Sequence, residues 1–363
     1  MVDTETRSER LGVSVIICCH NSAERLPVTL EHLRLQLVQR EISWEVLVID
    51  NASTDETEQI AQRCWPDAFP APLRVVYESR LGQANARQAG FWEARYEILS
   101  FVDDDNWVPC DWIKRVSDLM SEHPKLGALA PAVYPVFETA PPSWFDRFER
   151  FYAVNAQEVD QQVGTPFPYL CGAGLSVRKE AWKQLVNDGF RLNALGRKGT
   201  ALGGADDLEL TAAVRLAGWE LCIDPALRLE HFMPARRLDW SYLRKLVRAS
   251  AASTVVIDAY QFVDQYNSIT LKNLVQRMWW WHALGVSRHL VPKLPKLVLS
   301  KFRRTEGDSD IIAIDALVGR VAGLLRLRGR YALLREQVGG APWRKAGERL
   351  ASSKSGAATA RET

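Results

Sequence analysis

The stretch Val13-Ser-Val-Ile-Ile-Cys-Cys19 is short, β-branched and almost wholly apolar, and it stops abruptly at His20-Asn21. A run of that length and composition predicts a strand covered on both faces, which is the environment of a parallel sheet flanked by helices. A helix is expected next. Leu26, Leu30, Leu33 and Leu37 recur at helical spacing, and Pro27 suits a first-turn position. The alternation continues with a strand over Trp44 to Ile49, a polar turn over Asp50 to Asp55, a helix over Glu56 to Cys64 and a strand over Leu73 to Tyr77. A helix over 83–95 then leads to a strand over 97–102. Strands alternating with helices predict an α/β fold with a mostly parallel central sheet, whose ligands bind beyond the strands' C-terminal ends. Three polar motifs sit at such ends: His20-Asn21, Asp50-Asn51 and Asp103-Asp104-Asp105.

At 363 residues, 47% of them hydrophobic and 25% charged, the chain has material for a large core and for more than one domain. The polar residues 1–12 are expected to be flexible, 13–235 to form the α/β domain, and 236–345 to add a helical accessory region. The tail 346–363 has too little apolar content to pack and is expected to be disordered. The six cysteines are scattered with no Cys-x-x-Cys pair, so neither a zinc site nor a disulfide framework is indicated; reduced, mostly buried thiols are expected. The N-terminus lacks the apolar core of a secretory signal, and no apolar run approaches the roughly 20 residues of a membrane-spanning helix. A cytoplasmic protein is expected, lying on a membrane if it meets one.

Phe101-Val-Asp-Asp-Asp-Asn106 brings three carboxylates together at a strand end, where like charges repel unless a cation or solvent relieves them. Hard carboxylate oxygens suit Mg²⁺ or Mn²⁺, which also coordinate substrate phosphates. An exposed acidic turn is the plain alternative. Asp206-Asp207 opens a helical stretch after Gly203-Gly204, where acids oppose the helix dipole. Capping is the ordinary reading of such a pair, and a general base for an attacking hydroxyl is the sharper one.

The motifs VSVIICCHN, EVLVIDNASTD, LGQANARQAG, FVDDDNWVP, LCGAGLSVRKEAW, GADDLELTAAVRLAGW and DPALRLEH occur in that order between Val13 and Pro234. Together they resemble the inverting family-2 glycosyltransferases with the nucleotide-diphospho-sugar, or GT-A, fold. The resemblance implies a nucleotide-diphosphate sugar as donor, a divalent metal as cofactor, and a glycan or lipid-linked acceptor. It implies that His20 and Asn21 line the nucleotide pocket, that Asp50 and Asn51 approach base and ribose, and that Arg87 shapes the donor site. It implies that Asp105 contacts the metal, that Asp103 contacts ribose or metal, and that Asp104 serves either side of the loop. Gly172, Ala173 and Gly174 would floor the donor sugar, with Asp206 beside it; Asp207 would be the catalytic base, and His231 would add a metal or pyrophosphate contact. The sequence departs from the family pattern at Asn51, where many relatives carry a second Asp, which leaves thymidine donors open beside uridine. It departs also at Arg80, in place of a frequent Asn, and at Asp206, in place of the usual Glu.

A nucleotidyltransferase would also use carboxylate-held metal, but no Gly-rich basic loop near the N-terminus is present to hold a triphosphate. A non-catalytic sugar-nucleotide or glycan-binding protein would be signalled by loss of a metal carboxylate or of the base, and neither is lost. Between Asp264 and Glu306 there is no acid, while basic residues interleave with Met278-Trp-Trp-Trp281. That pattern fits either contact with an anionic membrane or tryptophans packed on the catalytic domain with a solvated basic outer face. No nucleic-acid-binding motif accompanies the bases.

Overall fold

A computed structural model of the chain describes residues 11–66, 71–156, 169–194, 196–197, 202–261, 275, 277–299 and 305–344. Both expected terminal tails fall outside these residues, apart from Leu11 and Gly12.

The first strand, β1 (Val13–Cys19), and the second, β2 (Trp44–Asp50), are buried along nearly their whole length. Their side chains alternate between two apolar layers, as the two-residue period of a strand requires. Val13, Val15 and Ile17 pack with Leu26, Leu30 and Leu33 of helix α1 (Leu26–Arg34), each of which is fully buried. Each of those leucines contributes about 1.5–3 kcal/mol of burial. Ile16, Leu47 and Ile49 point to the opposite layer and meet Ala86 and Phe91 of helix α3 (Gln83–Glu93). Helix α2 (Thr57–Cys64) and strand β3 (Leu73–Tyr77) lie between these elements in the chain, and β4 (Ile98–Phe101) follows them.

The expected elements are all present, with helix ends a few residues shorter than the leucine spacing suggests. Leu37 lies beyond α1 and is exposed. The chain leaves the helix at Leu35, and the Leu37 amide donates to the Cys110 carbonyl instead (2.7 Å).

After the short β5 (Asn106–Trp107) and helix α4 (Trp112–Glu122) come the long strand β6 (Leu126–Phe137), the brief helix α5 (Phe145–Phe148), β7 (Ser176–Arg178), α6 (Lys179–Asn187), α7 (Asp206–Leu216) and β8 (Glu220–Met233). One eight-stranded sheet results, in the order β3-β2-β1-β4-β7-β6-β8-β5. Strands β3, β2, β1 and β4 are mutually parallel, β7 runs antiparallel to both its neighbours, and β6 and β8 are parallel to each other. The half that the N-terminal sequence predicts is therefore the parallel half, and the reversal at β7 completes the sheet.

Among the described residues after Arg237 all regular structure is helical: α8 (Trp240–Ser253), α9 (Asp258–Gln261), α10 (Trp279–Leu290), α11 (Leu294–Leu299), α12 (Ser309–Leu327) and α13 (Tyr331–Gly339). Asp239 caps α8 by accepting from the Ser241 (2.7 Å) and Tyr242 (3.3 Å) amides. Helices α8 and α12 pack backbone to backbone, because a Cβ on Gly319 or Gly323 would run into the Arg248 and Ala252 carbonyls. The buried Asp315 of α12 accepts from Arg244 (2.6 Å) and also pairs with Arg248. Helix α9 is tied to α7 through Tyr260, whose hydroxyl donates to Glu209 at 2.5 Å. The helical region is thus fastened to the element that carries Asp206 and Asp207.

None of the six cysteines is in a disulfide. Only Cys19 is fully buried, and Cys110 and Cys171 are exposed, so the expectation of mostly buried thiols does not hold. Cys110 and Cys171 sit in loops, which run over the surface.

Candidate active site

A cavity of about 270 Å³ opens over the C-terminal ends of the parallel strands, where the topology predicts it. Its wall includes Asp103, Asp104, Asp105, Asp206 and Asp207, faced by Arg25, Arg87, Arg197 and Arg237. His20, Asn51, Gly172, Ala173 and His231 also line it. Leu246 and Ser250 of α8 contribute as well, so the site draws on chain beyond the expected boundary at 235.

The three consecutive aspartates have three different environments. Asp104 turns toward α1, accepting from Arg25 at 2.6 Å and from the Ser22 hydroxyl. Asp105 turns the other way because β5 pairs antiparallel with β8, which sets Asn106 opposite His231 and lets the Phe232 amide donate to the Asp105 carbonyl (2.9 Å). Its carboxylate meets Arg237 at 2.9 Å and lies 3.5 Å from His231 Nε2. Burial works against ionisation of Asp105, but the cationic character of His231 and Arg237 outweighs it and holds this carboxyl well below the ordinary range. Asp103 remains toward the cleft. Burial, reinforced by Asp105 and Asp104 and opposed by Arg87 and Arg197, pushes it up to about 6.

Arg237 Nη1 and His231 Nε2 lie 3.2 Å apart, and the buried His231 Nδ1 has no hydrogen-bond partner among the described residues.

Arg87 is the buried cation beneath this floor. Its side chain is 5% exposed, pairs with Asp206 at 2.6 Å and lies with its guanidinium 5.8 Å from the Phe101 ring centre. Asp206, itself 2% exposed, holds Arg87 and also lines the cavity. The N-cap residue of α7, Ala205, offers no side-chain cap, and Asp206 and Asp207 lie in the first turn, where acids oppose the helix dipole as the ordinary reading expects.

Asp207 faces the cleft, and its carboxylate accepts from the Gly172 and Leu208 amides. Burial, with Asp206 adding to it and Arg87 opposing, raises its pKa above the ordinary aspartate value. A carboxylate shifted in that direction is a better match to proton abstraction near neutral pH.

Gly172 must be glycine for this geometry. A Cβ there would meet Asp207 Oδ2 at 2.7 Å and collide with the Arg87 guanidinium. Gly172→Ala is expected to displace both charged groups and to lower turnover by about 10²-fold, with the fold retained as judged by thermal melting.

Three expected site residues are not brought to the cavity wall. Asn21 is exposed, in a left-handed turn (φ 52°), and its side-chain oxygen accepts from the Thr54 amide at 2.8 Å. Asp50 accepts from the Ser53 amide at 3.1 Å within its own turn. Gly174 also has positive φ (68°), and a Cβ there would press on Leu229 and Pro131, so it serves packing. Asn51 does reach the wall, but its amide is already committed. It donates to the Glu78 (3.1 Å) and Arg80 (2.9 Å) carbonyls and accepts from the Gly82 amide (2.7 Å). An aspartate could not make the two donations, which gives the departure at this position a structural reason.

Sequence reading missed Arg25, Arg197 and Arg237. Arg25 stands at the start of α1, five residues beyond His20, and Arg237 stands six beyond His231. Their nearness to motif residues was the available signal.

A parallel half-sheet joined through a reversed strand to a second half, with a charged cleft over the parallel ends, is the architecture of the GT-A glycosyltransferases. Residues 14–186 match the model of glycosyl transferase family 2. Among curated proteins it is similar to an undecaprenyl-phosphate 4-deoxy-4-formamido-L-arabinose transferase of Pectobacterium carotovorum, 27% identical over 31% of this chain and 34% of that protein. It is similar also to the succinoglycan biosynthesis protein ExoM of Rhizobium meliloti, 24% identical over 66% of this chain and 72% of that one. The match thus spans about a third of the length of the first of these relatives. Among solved structures, the mannosyltransferase PcManGT of Pyrobaculum calidifontis, in complex with GDP-Man and Mn²⁺, superposes with a TM-score of 0.57 at 18% identity, over 87% of this chain and 88% of that one. At that identity the likeness speaks for the fold.

Proposed function

We propose that the chain transfers a sugar from a nucleoside-diphosphate sugar to an acceptor hydroxyl in one inverting displacement. The observation that carries this reading is Asp207. It is a carboxylate raised in pKa, fixed by two backbone amides, and it shares one cavity with the Asp103–Asp105 cluster. Asp207 accepts the acceptor hydroxyl's proton as its oxygen attacks the anomeric carbon. The diphosphate leaves toward Arg25, Arg197 and Arg237, which are cations on the same wall.

Among the described residues no three His, Cys, Asp or Glu side chains form a closed metal cage. Asp103 and Asp105 nonetheless fit Mg²⁺ or Mn²⁺, because such ions take one or two carboxylates and complete their shell with water and substrate phosphate. Asp105 and Asp104 add to the burial that raises Asp103, and negative charge gathered in this way is the kind a divalent cation relieves. When bound, the ion would offset charge on the departing diphosphate. His231 is placed to assist only if Arg237 yields its Nε2.

The names of the relatives support an acceptor from polysaccharide or lipid-linked glycan synthesis. Among the described residues no helix is long and apolar enough to cross a membrane, and we place the reaction in the cytoplasm or at the membrane's cytoplasmic face.

The test is a panel of UDP-, dTDP- and GDP-sugars incubated with the purified chain, with Mn²⁺ or with chelator, reading nucleoside diphosphate released. One nucleotide class should be cleaved, and only with metal. When an acceptor is supplied, NMR should find the product anomer inverted. Retention of configuration, or release undiminished by chelation, would count against the mechanism.

A further inference from the structure

Helices α10 and α11, with the turn between them, bury no side chain completely. One stripe of α10 does face the fold: Trp279, Ala283 and Val286, spaced i, i+4, i+7, pack against Val255, Leu324 and Tyr331. The opposite stripe of a helix docked in this way is ordinarily polar. Here it is not. Trp280, Trp281, Leu284 and Val291 are 40%, 45%, 60% and 59% exposed, and on α11 Leu294 and Val298 follow at 41% and 57%.

The charge carried by these two helices themselves has one sign. From Met278 to Leu299 the chain contains no Asp or Glu, and it carries Arg288, Lys293 and Lys296. Lys296 is paired with Asp308 and Asp310 of the α12 N-terminus (3.0 and 2.7 Å). Arg288 continues the Trp280, Leu284 spacing by one further turn, so a cation lies within the exposed apolar stripe. Tryptophans beside cations, on helices too short to span a bilayer, are the chemistry of the lipid–water interface.

We propose that the outer face of α10 and α11 seats on an anionic lipid surface, with Trp280, Trp281 and Leu284 entering the headgroup region and Arg288 and Lys293 meeting lipid phosphate. A second copy of the chain is the less fitting occupant, because two like-charged faces would oppose each other across an apolar contact. The proposal goes beyond the catalytic reading and stands or falls without it.

The experiment sediments the full chain with vesicles of phosphatidylcholine alone or mixed with phosphatidylglycerol. Binding is expected only with phosphatidylglycerol, and it should weaken as salt rises. The double variant Trp280→Ser, Leu284→Ser should bind at least about tenfold more weakly, since two apolar anchors are lost. Arg288→Gln with Lys293→Gln, which disturbs no packed apolar atom, should weaken binding and flatten its salt dependence, and it serves as the test if the first variant is unstable. Absence of vesicle binding, equal binding to pure phosphatidylcholine, or unaltered binding by a folded variant would each overturn the proposal. So would light scattering that finds a lipid-indifferent dimer which Trp280→Ser, Leu284→Ser converts to monomer.

Discussion

Asp207→Asn is expected to lower turnover by about 10²-fold or more while leaving the melting temperature and donor affinity close to those of the unaltered chain. The substitution keeps size and keeps one oxygen to accept from the Gly172 or Leu208 amide, both of which bind the native carboxylate. What it removes is the proton acceptor.

Its neighbour should behave in the opposite way. Asp206→Asn leaves the Arg87 guanidinium, 5% exposed, without its ionic partner. Removing one member of a buried ion pair costs on the order of 3–5 kcal/mol, so this variant should lose stability first and activity in consequence. Thermal melting and turnover measured on both variants separate a base from a structural acid. Near-normal turnover by Asp207→Asn would remove Asp207 from the mechanism.

The parallel half of the fold was legible because its strands are buried on both faces. Nothing but a covered strand accounts for Val13 to Cys19 or Trp44 to Ile49. Strand β7 was less legible: Ser176–Arg178 is three residues long and owes its place to pairing with β4 and β6. At the site, the strand-end rule correctly gathered His20, Asn51 and the aspartates into one cleft. It could not separate Asn51 from Asp50 or His20 from Asn21, because adjacent residues at a strand end turn in different directions. Arg237 was hidden for a different reason. It reaches Asp105 only through the antiparallel pairing of β5 with β8, a tertiary register that no local pattern announces.

The opposed roles of Asp104 and Asp105 were likewise invisible in a run of three identical residues. The structure distinguishes them by partner: Arg25 for the first, Arg237 and His231 for the second. That distinction gives the metal hypothesis a specific residue. Asp105 is held ionised by His231 and Arg237, and it shares its cavity with Asp103. Loss of its hard oxygens should leave a bound diphosphate poorly compensated.

Calorimetric titration with the nucleoside diphosphate of the preferred donor, with Mn²⁺ and with chelator, on the unaltered chain and on Asp105→Ala, puts the metal-assisted donor site directly to the test. The account predicts that Mn²⁺ tightens binding to the unaltered chain by about tenfold or more and that this gain disappears in the folded variant. Equal affinity with and without Mn²⁺ in the unaltered chain, or a gain that survives in Asp105→Ala, would contradict it.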